Sequence, residues 1–501
     1  MSALMGDLLL GIDVGTSAVK AAAFDAHGRL IAEGTAPLTV HTPRAGWAEQ
    51  HPDDWWAAAR EAVRQVVSVV GAQRIAAVGV DGQSWAAVLI DGGGEVVCPT
   101  PIWMDQRSSA QCAALRERVG DAAFRLCGNP IQPGYTTPKL LWYQQEQPQA
   151  HARARHVLQS NGYVVYRLTG VLSQDVSQGY GLHCFDTANR TWDRAMAREL
   201  SIDPDMLPPL CACHEIVGQI TPEAARLTGL LAGTPVAAGG LDAACASLGA
   251  GVVMPGQTQE QGGQAGGMGL CVGSAAMDER LILSCHVAPD LWLLQGGTVG
   301  GGGALRWLRE AVAGGKSFDE LCEGAAQIPP GSEGVVFLPY LSGERSPIWD
   351  ADARACFFGL TFSSDLRHMT RAVLEGVAFS LRHNIETAQQ AGATVGDLHA
   401  MGGAARSPIW TQIKADITRR TMRVPEGGNE TAMGAAMLAG VGTGVWKDAQ
   451  TAADACVRFE REHKPSGGHA DAYEGAYSLY RTLYPALKAA GSMGAHDHQC
   501  P

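Results

Sequence analysis

A carboxylate followed at once by a small, hydroxyl-bearing turn is the first chemical feature along the chain. In LLLGIDVGTSAVKAAAFDAHGRLIAEG (8–34), Asp13 lies in an apolar run and precedes a glycine, Thr16 and Ser17. Backbone N–H groups at such a turn can approach a phosphate, and the hydroxyls can donate to its oxygens. Asp13 can then hold Mg²⁺ against a nucleotide's phosphates, with Lys20 steadying the same charge. The spacing is equally compatible with a buried aspartate satisfied by turn amides.

A second carboxylate, Asp242, stands in VAAGGLDAACASLGAG (236–251), after paired glycines and before small residues that should open a helix. Small side chains let a ligand come close, and the carboxylate can accept the proton of a hydroxyl as it attacks phosphorus. Phosphoryl transfer tends towards a loose transition state, so a weak, well-placed base suffices. The alternative is an aspartate that caps the helix, and the two roles are compatible.

A third feature is a diglycine ahead of a helix. The segment LHAMGGAARSPIWTQIKADITRR (398–420) reads as a strand, then Gly402-Gly403, then a helix that begins near Ser407. Backbone amides at the start of a helix suit a nucleotide's phosphate or the edge of its adenosine. A diglycine before a helix is common, so on its own it indicates a nucleotide site only weakly.

These groups need a scaffold, and the periodicity of the chain predicts a mixed sheet with helices on its faces. Short apolar runs broken by polar turns are typical of strands, and apolar residues at helical spacing before Gly71 indicate a helix. The order of strands and helix is typical of such a sheet. The predicted elements are strands at 8–14, 18–25 and 29–35, a helix capped by Asp53 or Asp54, and a strand, polar loop and strand over 74–91.

The hairpin pattern returns later, which indicates two domains of like fold. GMGLCVGSAAM (267–277) is again an apolar run and a Gly-Ser turn, and a strand, a glycine run and a helix follow it. Aligning 12–17 with 270–275 sets Cys271 opposite Asp13, so only the first copy has a carboxylate for a cation. We expect a turn from each domain to face a ligand cleft between them.

Two large domains are also favoured by length, since 501 residues exceed one ordinary core. The Gly- and Gln-rich stretch GVVMPGQTQEQGGQAGG (251–267) predicts the boundary and a mobile connection. The predicted division is a first domain over 1–255, a second over 256–445, and a closing helix with a loose tail over 446–501.

Composition and charge exclude several classes of protein. A net charge of −12 argues against a general binder of nucleic acid or anionic membranes. The apolar stretch over 230–254 contains Pro235, paired glycines and Asp242, which are costly in lipid, so it predicts a buried strand, a turn and a helix. The first residues lack the pattern of a signal peptide, and we expect a cytoplasmic protein.

Thirteen scattered cysteines without a CxxC pair are typical of reduced thiols. Two short segments, Cys211–His214 and His496–Cys500, faintly resemble metal ligands. Neither has a second ligand pair at the spacing of a zinc finger, so a plain loop and a frayed tail are the simpler interpretations.

Several motifs in one order resemble the FGGY family of carbohydrate kinases, whose members have the actin-like ATPase (ribonuclease H-like) fold. The agreement runs from about residue 8 to 445, and ACFFGL followed by HMTRAVLEG, within 355–376, fits a signature of that family throughout. The matching motifs are GIDVGTSAVKAAAFD, WAEQHPDDWW, GYTTPKLLWYQQE, GGLDAACASLGAG, FLPYLSGERSPIWD, GLTFSSDLRHMTRAVLEGVAFSLRHN and MGGAARSPIWTQIKADI.

This resemblance implies an ATP- and Mg²⁺-dependent sugar kinase with an α/β fold of two similar domains. Asp13, Thr16 and Ser17 would handle Mg²⁺ and phosphate, and Asp242 would be the proton acceptor. Ser274 stands where the family's second phosphate turn usually has threonine. The nucleotide contacts that the resemblance implies are Thr16, Ser17, Lys20, Ser274, Gly301, Gly403 and Ser407.

The sugar is expected deep between the domains, against the loop after residue 80 and the segment WMDQR (103–107). Many ketopentose kinases of this family have Met-His after the glutamine of that loop, whereas this chain has Ser84-Trp85 after Gln83. An indole replaces an imidazole, so the hydroxyl pattern that is recognised can differ. The expected sugar contacts are Gln83, Ser84, Trp85, Trp103, Asp105 and Asp242.

The expected reaction is transfer of the γ-phosphate of ATP to a terminal hydroxyl of a ketopentose, D-xylulose being the first choice. Within the enzyme class, the alternative is a kinase for another ketose, polyol or small signalling carbohydrate. From another class comes an actin-like protein that uses ATP to change shape, which Asp242 and the signature over 355–376 disfavour. The expected partners are ATP and a sugar, without nucleic acid or membrane, and a homodimer is compatible with the resemblance.

Overall fold

Two mixed sheets flanked by helices follow one another along the chain. The structure is a computed structural model that describes residues 6–491, so the segment His496–Cys500 lies outside the described residues. The strands of the first unit are β1 Leu8–Val14, β2 Ala18–Phe24, β3 Leu30–Pro37, β4 Glu49–Gln50, β5 Ile75–Gly82, β6 Val88–Ile90, β7 Thr100–Pro101, β8 His156–Leu158, β9 Gln174–Asp175, β10 Phe185–Asp186, β11 Thr191–Trp192, β12 Leu210–Cys211, β13 Ile216–Gln219, β14 Pro235–Ala237 and β15 Gly240–Leu241. Its helices are α1 Pro52–Val70, α2 Ser109–Cys127, α3 Thr136–Glu146, α4 Pro148–Arg153, α5 Ser160–Thr169, α6 Arg194–Glu199, α7 Pro222–Thr228 and α8 Asp242–Gly249.

The second unit begins after α8. Its strands are β16 Thr258–Gly262, β17 Gly266–Val272, β18 Ile282–Cys285, β19 Trp292–Thr298, β20 Val336–Leu338, β21 Cys356–Phe358, β22 Leu398–Met401, β23 Met422–Pro425 and β24 Phe459–His463. The helices that follow α8 are α9 Gly302–Ala311, α10 Phe318–Ala326, α11 Leu366–Gln390, α12 Pro408–Thr418, α13 Glu430–Gly442, α14 Ala449–Cys456 and α15 Ala470–Ala489.

The two sheets repeat one topology. In the first, β1, β2 and β3 form an antiparallel meander, β5 runs parallel to β1, β14 runs parallel to β5, and β13 pairs antiparallel with β14. In the second, β16, β17 and β19 form the meander, and β22, β23 and β24 take the places of β5, β14 and β13. The predicted α/β fold of two similar domains with mixed sheets is confirmed.

The second copy of the hairpin is β16–β17, and its turn is 263–265. The predicted alignment of 12–17 with 270–275 is wrong by one strand. Cys271 lies in β17, which pairs antiparallel with β16 as β2 pairs with β1, so Cys271 is not the counterpart of a β1 residue. The turn that corresponds to the Gly-Thr-Ser turn of the first unit therefore comes before β17 and not after it.

The polar sequence of β16 is the reason why the stretch 251–267 is predicted as a mobile connection. In the structure, residues from 258 onward form β16, a turn and the start of β17. Glu260 of β16 is buried, and its Oε1 accepts from Lys414 Nζ of α12 at 2.6 Å. This ion pair lets a polar strand lie within the second sheet, because a buried charge is tolerated when it is paired. Gln261 takes the place of Asp13, two residues before the turn, so the carboxylate is still confined to the first copy.

The helix α1 lies where its apolar spacing predicts, but its cap differs. His51 is the N-cap residue, and its Nδ1 accepts from Asp53 N at 3.3 Å. Asp53 and Asp54 lie in the first turn instead of capping it, where carboxylates interact favourably with the helix dipole. Gly71 ends the helix as predicted, with a φ of 82°.

The helix α13 crosses from the second unit and packs on the first sheet and on α8. The approach is so close that a Cβ at Gly11 of β1 would collide with the carbonyl oxygen of Ala432, and one at Gly79 of β5 with that of Ala435. Small residues on α13 and on β1 and β5 therefore let α13 pack closely on the sheet that contains Asp13.

The second unit also continues past the predicted end at 445. β24 pairs with β23 at the edge of the second sheet, and Tyr473, Tyr477 and Tyr480 of α15 belong to the core of the second unit. The segment 446–501 is therefore not a separate appendage over the residues that the structure describes. The division expected at 255 lies between α8 and β16.

No helix within residues 6–491 is long and apolar enough to cross a membrane. The apolar stretch over 230–254 contains β14, β15 and α8. Its prediction as a buried strand, a turn and a small-residue helix is confirmed.

Candidate active site

A cavity of about 300 Å³ lies between the two units, and both contribute to its wall. The first unit supplies the turn after β1, the loop after β5 and the start of α8, and the second supplies β16, β17, β19 and the loop around Arg345. We call it the cleft cavity. The side chains that line it are Thr16, Ser84, Trp85, Trp103, Tyr180, Asp242, Gln259, Gln261, Met268, Ile282, Gln295 and Arg345.

Asp242 is the first residue of α8 and lines the cleft cavity. Leu241 is the N-cap residue, so Asp242 is not the capping side chain. Its Oδ1 accepts from Ala243 N at 2.6 Å. Burial, and then the charge of Asp13, raise the pKa of Asp242 to about 7. A carboxylate on a cavity wall with a pKa near neutrality is suited to take up and release a proton.

Two further carboxylates lie close to Asp242. Asp13 of β1 pairs in register with Asp81 of β5, and β15, which leads into Asp242, pairs with the other edge of β5. Asp81 is fully buried, and its carboxyl group interacts with that of Asp13. Burial and the charges of Asp13 and Asp242 raise the pKa of Asp81, and burial raises that of Asp13. Lys20, opposite Asp13 on β2, acts against the rise at Asp13.

The first turn is held against the loop after β5 by side-chain hydrogen bonds. Thr16 Oγ1 donates to Gln83 Oε1 at 3.2 Å and accepts from Trp103 Nε1 at 3.0 Å. Gln83 Nε2 donates to Gln50 Oε1 at 2.9 Å, and Gln50 Nε2 donates to Thr16 O at 2.8 Å. Gln83 is buried and does not line the cleft cavity. It therefore positions Thr16, which does line the cavity.

Trp85 forms part of the cavity wall with a strained backbone. Its φ is 60°, a region that bulky residues rarely adopt. Its ring stacks on Tyr135 with centroids 4.1 Å apart, and it meets Tyr180 edge-on at 5.8 Å. Tyr180 Oη donates to Ser84 Oγ at 3.4 Å. The structure thus brings the predicted pair Ser84 and Trp85 to the cavity, together with a tyrosine from a distant segment.

Asp105 lies beneath the wall, and its carboxylate is already occupied. Its Oδ2 accepts from Ala48 N at 2.7 Å and its Oδ1 from Arg107 N at 2.9 Å. The Arg107 guanidinium forms ion pairs with Asp105 at 2.8 Å and with Glu49 at 2.6 Å. Asp105 is fully buried and does not line the cleft cavity, so the structure gives it a scaffold role and does not support the predicted sugar contact.

A second cavity of about 510 Å³ lies in the second unit, and we call it the glycine-lined cavity. The backbone of 262–264 forms one wall. Gly403 and Ser407 lie on another, where Ser407 caps α12 by accepting from Trp410 N at 3.3 Å. The structure therefore brings the predicted diglycine and helix start to the same cavity as the turn of the second hairpin. Its other lining residues include Gly302, Leu305, Arg306, Arg309, Phe318, Asp319, Cys322 and Arg406.

Glycines allow three loops to meet at the turn 263–265. A Cβ at Gly301, the N-cap residue of α9, would collide with the carbonyl of Ala265, so Gly301 supports the turn from behind. Gly402 has a φ of 78°, and a Cβ there would lie 3.0 Å from the carbonyl carbon of Gly262. Ala265 lines the cleft cavity and Gly263 the glycine-lined cavity, so the turn lies between the two.

Ser274 lies away from both cavities. It follows β17 and lines a depression of about 470 Å³ with Gly256 and Thr394. Because the turn after β17 does not correspond to the turn after β1, the structure does not support the predicted nucleotide contact at Ser274. Ser17 and Lys20 do flank the first turn, and both are exposed.

Arg345 and the glutamines of the second sheet are candidate functional residues to which the sequence assigns no role, although Arg345 lies within the motif FLPYLSGERSPIWD. Arg345 Nη2 donates to Thr298 O at 3.1 Å, and its guanidinium lies 5.8 Å from the centre of the Trp103 ring. A cation of the second unit thus contacts an indole of the first. Gln259 and Gln261 line the same cavity two residues apart on β16. Their alternation is the strand signal that could have identified them.

The weak metal-ligand pattern at Cys211–His214 has no structural support. Cys211 and Cys213 are buried. Over residues 6–491, no group of three or more His, Cys, Asp or Glu side chains is arranged to hold a metal ion, and the cysteines are free.

Family models and similar proteins agree with this architecture. The model of the FGGY family of carbohydrate kinases, N-terminal domain, matches residues 8–249, and the C-terminal domain model matches 278–443. The xylulose kinase of Bacillus subtilis (strain 168) is 32% identical over 487 residues, which cover 96% of this chain and 97% of that protein. The xylulose kinase of Escherichia coli (strain K12) is 33% identical over 483 residues, with 96% and 99% covered.

A solved structure has the same fold as this chain. The crystal structure of xylulose kinase from Rhodospirillum rubrum matches with a TM-score of 0.90 at 30% identity, covering 96% of this chain and 99% of that one. The two similar units with a cleft between them are thus shared along nearly the whole length of both chains. The chain belongs to the FGGY family of carbohydrate kinases and has the actin-like ATPase fold of that family.

Proposed function

We propose that this sugar kinase transfers the γ-phosphoryl group of ATP to a terminal hydroxyl of a ketopentose, with O5 of D-xylulose as the attacking atom. The observation that carries the proposal is Asp242, a carboxylate with a pKa of about 7 on the wall of a cavity that both units close. The relatives named xylulose kinase, about 30% identical over almost the whole chain, favour a ketopentose as the acceptor.

Asp242 would accept the proton of the sugar hydroxyl as its oxygen attacks the γ-phosphorus. The new P–O bond forms while the bond from the γ-phosphorus to the β–γ bridging oxygen breaks, and ADP leaves with that oxygen. A base with a pKa of about 7 is about half ionised at neutral pH, so it can take up the proton of the hydroxyl and release it again.

The nucleotide would occupy the glycine-lined cavity, with its phosphates at the turn 263–265. The N-termini of α9 and α12 border this cavity, and the positive end of each helix dipole attracts anions. Gly302 N and Gly303 N of α9 donate to Gly263 O and Gln264 O, so they hold the turn against the start of that helix. Gly403 and Ser407 would lie beside the adenosine. Thr16 and Ser17 would meet the transferred phosphate from the first unit.

Mg²⁺ would accompany the phosphates, and the carboxylates beside the cleft fit a hard cation. Asp13, Asp81 and Asp242 concentrate negative charge, and the charge of Lys20 acts to lower the pKa of Asp13. These carboxylates do not form a ready-made ligand triad, so phosphate and water oxygens would complete the coordination. Asp13 would hold the ion. The ion would supply neutralisation of the charge on the phosphates.

Four residues on the wall of the cleft cavity are the proposed sugar contacts. The indole faces of Trp85 and Trp103 suit the C–H surface of a sugar, and the hydroxyls of Ser84 and Tyr180 suit its O–H groups. Gln83 would act through Thr16, whose hydroxyl it accepts from.

Arg345 favours a second candidate substrate, a sugar acid. A guanidinium pairs well with a carboxylate, and Arg345 lines the cleft cavity, where its Nη2 donates to a backbone carbonyl, Thr298 O. An aldonate such as D-gluconate is therefore the second acceptor to compare with D-xylulose.

We also propose that the enzyme acts as a homodimer in the cytoplasm, and that its functional division lies at 255. Light scattering on the purified chain tests the assembly, and a monomer at assay concentrations would contradict it.

ADP release in the presence of a panel of acceptors tests the proposed function. The panel contains D-xylulose, D-ribulose, xylitol, glycerol and D-gluconate, and the product is identified by mass spectrometry and ³¹P NMR. We expect the highest kcat/KM with D-xylulose and a phosphate on O5. Preference for D-gluconate would replace the ketopentose by a sugar acid. ADP release that no acceptor stimulates would contradict a sugar kinase and favour an ATP-driven switch.

A further inference from the structure

The motif GYTTPKLLW (134–142) belongs to none of the roles above, since its residues line neither cavity. It forms the approach to α3 and the first two turns of that helix, behind the wall of the cleft cavity. Lys139 is the unusual member. It is fully buried, and its Nζ donates to Trp85 O and to Ile102 O, each at 2.8 Å.

Burying an ammonium group is costly unless it is well hydrogen-bonded. Burial lowers the pKa of Lys139 to about 7, although the charge of Asp105 acts in the opposite direction. Both of its hydrogen-bond acceptors are backbone carbonyls, and each belongs to a different loop. A hydrophobic side chain would fill this position without that cost, so the two contacts need an explanation other than packing.

Each carbonyl sits next to an indole of the cleft cavity. The first is the carbonyl of Trp85 itself, and the second, Ile102, directly precedes Trp103. Trp85 has a φ of 60°, a conformation that persists only where the surroundings enforce it. Lys139 Nζ bonded to the Trp85 carbonyl, and the Tyr135 ring stacked on the Trp85 indole, hold Trp85 in this conformation from one side.

The first turn of α3 holds the neighbouring backbone in the same way. Thr136 Oγ1 donates to Ala86 O at 3.1 Å and accepts from Gln159 Nε2 at 3.0 Å. Thr137 Oγ1 accepts from His183 N at 2.8 Å, close in sequence to Tyr180. One helix end is therefore bonded to all three segments that place aromatic side chains in the cleft cavity.

We propose that Lys139 is a positioning residue for the sugar site: its ammonium group connects the Trp85 and Trp103 loops to α3 and so sets the spacing of the two indoles that hold the acceptor. The inference rests on the proposed function in that the acceptor is a sugar. It assigns to Lys139 no contact with sugar, nucleotide or phosphate.

The test is Lys139→Met, with Tyr143→Phe as a matched control. Tyr143 lies one turn further along α3, is buried, and donates to Pro99 O at 2.6 Å, so its loss also removes a buried donor from a backbone carbonyl. Pro99 adjoins no residue of the cleft cavity. Misplacement of a substrate by about 1 Å can lower rates by about 100-fold. We expect Lys139→Met to lower kcat/KM for the preferred sugar by about 10- to 100-fold, with KM for ATP unchanged, and Tyr143→Phe to leave both constants unchanged.

Equal effects of the two variants, or equal rises in KM for sugar and for ATP, would overturn the proposal, because a general loss of stability would then explain them. If Lys139→Met does not fold, Lys139→Arg replaces it: the larger head should displace both loops and raise KM for sugar alone, and an unchanged KM would overturn the inference. A wild-type enzyme that phosphorylates no sugar contradicts the proposed function. The inference is then decided by near-ultraviolet circular dichroism, in which Lys139→Met should lose indole signal that Tyr143→Phe keeps.

Discussion

Replacing Asp242 by asparagine removes the proposed base with little change of shape. Asp242 Oδ1 accepts one hydrogen bond, from Ala243 N at 2.6 Å, and an asparagine oxygen can accept the same bond. Loss of a general base slows catalysis by about 10²–10⁴-fold. We expect kcat of Asp242→Asn to fall by that factor while the Kd for ATP stays unchanged, because the site proposed for the nucleotide is the other cavity.

The same substitution should stabilise the folded chain. The pKa of about 7 in the folded state lies above the ordinary value of 3.8, so the folded state holds the proton more tightly than the unfolded state. The free energy of unfolding therefore falls as pH rises from about 4 to about 7 and stays low above that range. Asparagine has no charge to desolvate, so at pH 8 it should raise the free energy of unfolding by roughly 1–3 kcal/mol. The gain should be smaller at pH 5.

Coupled ADP assays between pH 5.5 and 9 and thermal melts at pH 5 and 8 measure both effects. In the wild type, kcat/KM should rise with pH up to about 7 and then level, because the base must be deprotonated. The variant should lack that rise. A near-wild-type rate, or the same rise in both proteins, would remove Asp242 from proton transfer. A lower melting temperature of the variant at pH 8 would refute the desolvation argument.

Four further substitutions separate the parts of the site. Asp13→Ala should shift the Mg²⁺ titration of activity to higher concentration and slow transfer while the sugar still binds, and an unchanged titration would move the metal elsewhere. Trp85→Phe should raise KM for sugar more than KM for ATP and remove much of the sugar-induced change in tryptophan fluorescence. If KM for sugar and the fluorescence change both stay as in the wild type, this loop does not contact the acceptor. Gly402→Ala should raise KM for ATP, because a φ of 78° disfavours a side chain and a new Cβ would lie 3.0 Å from the carbonyl carbon of Gly262. Ser274→Ala should leave KM for ATP unchanged. If Ser274→Ala raises this KM and Gly402→Ala does not, the turn after β17 belongs to the nucleotide site.

The parts of the site that sequence predicts are those whose chemistry is local. Asp13 and Thr16 lie within one turn of each other, and Asp242 opens a helix directly after a glycine pair, so a few neighbouring residue types indicate each role. The strands at the centre of the first sheet follow from another local signal, short apolar runs bounded by polar turns. The prediction for helix α1 is wrong only at its N-cap, where a histidine nitrogen accepts the hydrogen bond that was expected to go to a carboxylate.

The turn 263–265, which is the counterpart of the first turn, could not be predicted in that way. β16 contains Glu260, whose burial is tolerated because Lys414, far along the chain, forms an ion pair with it. The turn 263–265 has no hydroxyl side chain, so the Gly-Ser pair at 273–274 resembles the first turn more closely than the true counterpart does. Tyr180 and Arg345 come from irregular segments, and only the folded chain shows that they meet in one cavity.

Under the proposed function, the position of the turn 263–265 gives a physical reason for transfer to need both units. Its Ala265 side lines the cavity that contains Asp242, and its Gly263 side lines the cavity proposed for the nucleotide. A phosphoryl group at this turn therefore lies between base and donor. Thr16 of the first unit faces the same cavity, so opening of the cleft would withdraw base and first turn together. Water entering an open cleft would then meet an incomplete site, and transfer would follow closure around the sugar.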